Sequence, residues 1–130
     1  MAFNIDAVDI DAQSNGIWEE YQGSEFLIAS TANTRYQKRL ATLRKPLSRQ
    51  IDKGTADPEE LNRIFCKAIS ERILLDWKNV VDRNGKAIDY SPEIAQKSLE
   101  TNDTFASWVL EVAGNQEFYE REFKDAVVKK

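Results

Sequence analysis

Histidine is absent from the 130 residues, cysteine occurs once, proline three times and glycine five times. Each scarcity removes a class of function. Without histidine there is no near-neutral general base, no imidazole metal ligand and no switch at physiological pH. With Cys66 alone, one chain cannot build a disulfide framework, a zinc site of the usual composition or a Cys/His nucleophile. No apolar run approaches the ~18 residues of a membrane span, and the opening Met1-Ala2-Phe3-Asn4-Ile5-Asp6 lacks the basic region of a signal peptide. Carboxylate pairs exist (Glu19/Glu20, Glu59/Glu60, Glu120/Glu122), but nothing places two of them in one pocket with a nucleophile. The expectation is a non-enzymatic cytoplasmic protein with no metal and no cofactor.

What is present is ordinary for a globular chain: 42% hydrophobic residues, 31% charged and a net charge of −4. Residues 1–130 read as one domain, long enough to bury a core. The charge is segregated. Residues 1–30 hold six acids and no Lys or Arg, whereas residues 31–56 hold seven basic residues against Asp52 alone. Such asymmetry guides self-assembly or partner docking.

Residues 1–15 lack sustained periodicity and read as an extended arm. Ile17–Tyr21 and Ser24–Ile28, separated by Gln22-Gly23, read as a β-hairpin. Because a lone hairpin is marginal in water, it must pack on the helices that follow. Tyr36, Leu40, Leu43, Leu47 and Ile51 recur at helical steps after Asn33, with a break expected near Pro46. Asp57-Pro58-Glu59-Glu60 combines a cap, a proline at the first helical position and first-turn acids. The helix it opens is predicted to run to about Val80, with an apolar arc broad enough for the central core element, Cys66 inside it as a small hydrophobe.

Asn84-Gly85 between Val80-Val81 and Ala87-Ile88 signals a two-residue turn. It fails as a calcium loop, since Val80 and Ser91 would occupy positions that need carboxylates. Ser91-Pro92-Glu93 starts a short helix to about Glu100. Thr101-Asn102-Asp103 caps a final helix that Gly114-Asn115 interrupts. Beyond it, residues 115–130 carry a second stripe of Phe118, Tyr119, Phe123, Ala126 and Val127. The predicted fold class is mainly α, a compact helical domain of about four helices with a small N-terminal β-hairpin.

Several of these segments, in this order and spacing, resemble the tail assembly chaperones of long-tailed bacteriophages. They are the Ser24-Glu25-Phe26-Leu27-Ile28 strand, the helix around Tyr36, Asp76-Trp77, the Asp82-Arg83-Asn84-Gly85 turn leading to Tyr90-Ser91-Pro92-Glu93, Phe105-Ala106-Ser107-Trp108-Val109 and Phe118. The resemblance implies a helical, non-enzymatic protein of the host cytoplasm. Such a protein binds the tape measure protein in several copies, keeps it soluble and yields to tail tube protein as the tube forms. It also implies a minor frameshifted form, for which the Lys129-Lys130 codons are a place to look. The family supplies no catalytic motif to transfer.

Site expectations therefore come from this chain. Phe118, Tyr119, Phe123 and Val127 are expected to bind the tape measure protein. Arg35, Lys38, Arg39 and Arg44 are expected to mediate self-association into a ring or spiral. Two rival readings stay open: a small nucleic-acid-binding regulator using the basic helix 35–53, and a structural tail component. The acidic balance of the whole chain weighs against nucleic acid.

Overall fold

A computed structural model describes residue 2 and residues 10–115 of the chain. Ile10–Asn15 (α1) is helical, within the stretch expected to be an extended arm. Two strands follow, Ile17–Tyr21 (β1) and Ser24–Ile28 (β2). They are joined by Gln22 and Gly23, both at positive φ (51° and 83°), the conformation of a two-residue hairpin turn whose twist matches its strands. Gly16 also has positive φ, and a Cβ there would lie 3.1 Å from the Ile28 backbone, so only glycine lets α1 hand over to β1 this closely.

Thr34–Arg44 (α2) starts next to Asn33, where the helix was expected to begin, and the Asn33 side chain caps it by accepting the Tyr36 amide. Pro46 sits in a 3-10 turn at Lys45–Leu47, which breaks the stripe before Ser48–Lys53 (α3). Pro58–Arg72 (α4) opens on Asp57, which accepts the Glu59 amide. It packs between α2 on one side and Pro92–Thr101 (α5) on the other, as its broad apolar arc requires. Ser91 caps α5 and Asn102 caps Asp103–Gly114 (α6).

The central helix does not reach Val80. It ends at Arg72, and Leu74–Lys78 (β3) is a strand. It pairs antiparallel with β2, giving a three-stranded sheet of order β1-β2-β3. The expected bundle of about four helices with a hairpin is therefore corrected: the fold is mixed, with 58% of the described residues helical and 16% in strands. The third strand supplies what a two-stranded hairpin lacks in water, a second pairing partner for β2.

The loop after β3 also differs from its expected form. Asp82 accepts the Gly85 amide through its backbone carbonyl and the Asn84 and Lys86 amides through Oδ1. Gly85 is at φ 81°, whereas Asn84 is not at positive φ. Arg83-Asn84-Gly85 is thus a three-residue loop closed by Asp82, beneath a bridge between Val81 and Ala87.

The core lies between one face of the sheet and helices α4, α5 and α6, and it includes Phe26, Ile28, Ile69, Leu74, Trp77, Leu99, Phe105 and Val109. Among the described residues no buried side-chain nitrogen or oxygen lacks a hydrogen-bond partner. None of the described helices is long and apolar enough to cross a membrane.

Candidate functional site

Six aromatic rings form one continuous cluster on the core-facing side of the sheet. Phe26 on β2 is its hub, with ring centroids 6.3 Å from Trp77, 5.1 Å from Phe105 and 5.7 Å from Trp108. Tyr21 on β1 lies 4.5 Å from Trp108, and Tyr90 lies 5.1 Å from Trp77, nearly perpendicular to it. Edge-to-face pairs of this kind contribute beyond the area they bury.

Two polar tips anchor the loop after β3 to this cluster. Trp77 donates from Nε1 to the Ile88 carbonyl at 2.8 Å. The Tyr90 hydroxyl lies 2.6 Å from both the Ser70 and Leu74 carbonyls, shared across the junction where α4 ends and β3 begins. Ser70 lies in the last turn of α4, where carbonyls run out of intrahelical partners, and Leu74 is the first residue of β3. Burial, and then Asp76, Glu93 and Glu71, pushes the Tyr90 phenol from 10.0 up to about 12.

The sign of the linkage follows directly. A raised folded-state pKa makes the Tyr90 contribution full below pH 10 and removes it as pH rises from about 10 through about 12. Tyr90→Phe is expected to lower stability by ~1–2 kcal/mol below that window, because carbonyls lose their donor. Across the window the variant should lose less stability than the parent. Urea denaturation on either side of the window measures this, and parallel losses in both proteins would refute the assignment.

Beside the cluster opens a groove of about 370 Å³. Tyr21, Phe26, Trp77 and Phe105 form its floor, with Val80 and Ile88 from the loop and Ile94 from α5 at its edges. No charged residue lines it; its polar lining is Gln22, Ser24, Ser98 and Asn102. Val81 is 53% exposed and Ile94 41%, so two aliphatic side chains stand at the rim in water. A groove with an aromatic floor, an aliphatic rim and four uncharged polar side chains suits the apolar face of an amphipathic helix, whose polar flanks those side chains can meet. A second hollow, of about 480 Å³, shares the wall of Trp77, Val80 and Ile88 and carries Asp76, Lys78 and Asp89.

Elsewhere the chemistry is quiet. Cys66 is buried, and burial, followed by Glu100 and Asp103, pushes its thiol up. Among the described residues no group of three or more acidic or cysteine side chains is placed to hold a metal ion.

The residues singled out from sequence are scattered relative to this groove. Phe118, Tyr119, Phe123 and Val127 lie outside the described residues, as does the stripe from 116 onward. Arg35, Lys38 and Arg44 are exposed on α2, away from the groove lining. Arg39 is committed elsewhere: its guanidinium holds the Glu71 carboxylate on α4 through Nε and Nη2. The sequence offers Val80, Val81 and Ile88 only as turn flanks, and does not single out Ile94. The signal that was available is the density of aliphatic residues around a polar loop.

The model of one family, the YdaY prophage protein family, matches residues 31–130, so it includes α2, α3, α4, β3, α5 and α6 but not β1 or β2. The chain belongs to this family, and its phage association rests on that match. No curated protein and no solved structure matches it.

Proposed function

We propose that this member of a prophage family is a tail assembly chaperone. It binds the tape measure protein, keeps it soluble, helps bring tail tube protein to it, and is absent from the finished virion. The observation that supports this reading is the groove: aromatic below, aliphatic at the rim and uncharged throughout. A tape measure protein is a long, coiled-coil-prone chain that presents repeated apolar stripes before the tube encloses it. A shallow groove takes such a stripe in the helix-in-groove manner, one short segment per copy. Weak contacts repeated along a filament hold through avidity, and each is released singly when a tighter competitor arrives. The role calls for no catalysis, cofactor or metal. Phe118, Tyr119, Phe123 and Val127 are proposed as a second contact with the same partner.

Co-expression with the tape measure protein of the same prophage tests the reading. The expected result is a soluble tape measure protein that co-purifies with several copies of this chain. Val81→Glu and Ile94→Glu place a carboxylate at the groove rim, where docking would strip it of water. Each should cut recovery of the complex tenfold or more, while changing stability within about 0.5 kcal/mol, as exposed positions do. A tape measure protein that stays insoluble with the parent chain, or rim variants that recover it equally well, would sink the proposal.

A further inference from the structure

The described surface divides by charge along the fold. Residues 34–72, which form α2, α3 and α4, carry ten basic and five acidic side chains. Residues 17–28 and 73–115 together carry four basic and ten acidic ones.

At the basic end, Arg35, Lys38, Arg44 and Lys45 are exposed, and none forms an ion pair with a described residue. Arg35 stands in the first turn of α2, which contains no acid. A cation there opposes the helix dipole, so the helix does not gain from it.

At the acidic end, the sheet's outer face shows a second local conflict. Alternation along the strands puts Trp18, Glu20, Glu25, Leu27, Asp76 and Lys78 on the side away from the core. Glu20 and Glu25 are directly opposite each other in register, a like-charge pair that costs stability. Lys78, aligned with Glu25 on the other strand, does not neutralise it; its ammonium sits 4.2 Å over the Trp18 ring. Trp18 is itself 39% exposed. Two exposed carboxylates facing each other across the strands are a seat for guanidinium groups, which pair with carboxylates bidentately.

We propose that these two faces meet between copies: the Arg35/Lys38 side of α2 docks on the Trp18–Glu20–Glu25 face of the next copy's sheet. The patches are different surfaces of one protomer, so the contact is heterologous and propagates as a ring or an open spiral. Arg39 takes no part, because Glu71 holds it. The groove lies on the opposite, core-facing side of the sheet and stays open in every copy. The inference stands apart from the identity of the groove's occupant, and its test contains no tape measure protein.

Sedimentation velocity of the full chain at low and high salt provides that test, using the parent, Arg35→Glu/Lys38→Glu, Glu20→Lys/Glu25→Lys and an equimolar mixture of the two variants. The parent should sediment as an assembly at low salt and as a monomer near ~1 M salt, where screening reaches ~3 Å. Each variant alone should be monomeric, and near ~1 M salt, where the parent is monomeric too, the thermal unfolding midpoint of Arg35→Glu/Lys38→Glu should be no lower than the parent's. The mixture should reassemble, because each reversed face then meets its complement. A parent that is monomeric at low salt, an assembly indifferent to salt, or a mixture that fails to reassemble would each overturn the proposal. So would salt-dependent DNA retardation by a monomeric parent, since that would assign the basic face to a polyanion. The parent's own salt dependence decides the matter even where a variant folds poorly.

Discussion

Trp77→Ala is expected to lower the stability of this protein by about 3–5 kcal/mol, the cost of emptying a buried indole site. That is a large share of the roughly 5–15 kcal/mol that holds a domain together. Trp77 is only 7% exposed and touches the Phe26 and Tyr90 rings by their edges. Its Nε1–H also ties the Ile88 carbonyl, so the change releases the loop after β3 from the sheet. Trp77→Phe separates the two roles. It keeps much of the apolar volume but strands the Ile88 carbonyl, with an expected loss of ~1–3 kcal/mol. Urea denaturation of the three proteins measures both values. A neutral Trp77→Phe would show that the indole hydrogen bond contributes nothing and that packing alone anchors the loop.

The same residue explains why the sequence misled at this point. Ile28 pairs with Leu74 and Leu27 with Asp76, so Leu75 is an extra residue in β3. The bulge turns both Leu74 and Trp77 toward the core at a spacing of three, with Leu75 and Asp76 only half-buried between them. Buried residues three apart continue the helical pattern of Ile69 and Ile73, and the period of two that marks a strand is hidden. Local signals served well where the chemistry is local. Asp57, Ser91 and Asn102 each cap the helix expected of them, the first helix starts beside Asn33 as expected, and Pro46 interrupts the stripe it was expected to interrupt.

The groove was not legible for a different reason. Its walls come from β1, β2, β3, the loop around Val81 and helices α5 and α6, which are brought together only by tertiary packing. The exposed basic side of α2 was legible, since Arg35, Lys38 and Arg44 lie off the Tyr36–Leu40–Leu43 stripe. Arg39 was not separable from them, because its partner Glu71 lies 32 residues away on α4. The carboxylates expected to answer the basic helix were placed in the first 30 residues. Among the described strands, alternation puts Glu20 and Glu25 of that set on the outer face of the sheet, beside Asp76 from a strand that sequence periodicity concealed.

Phe26→Ala should cost about as much as Trp77→Ala, again ~3–5 kcal/mol, since Phe26 is 5% exposed and contacts Tyr21, Trp77, Phe105 and Trp108. The double variant should lose less than the sum by ~0.5–3 kcal/mol, because both changes delete the same ring contact and open one shared cavity. Strict additivity would show that the two rings pack independently, each against its own helix. The cycle also bears on the groove, since Phe26 and Trp77 form its floor while Val81 and Ile94 form its rim. Floor variants should weaken folding first and partner recovery as a consequence. Rim variants should weaken recovery alone. If Ile94→Glu instead unfolds the protein as readily as Phe26→Ala, the rim is part of the core, and the groove has no surface left to offer a partner.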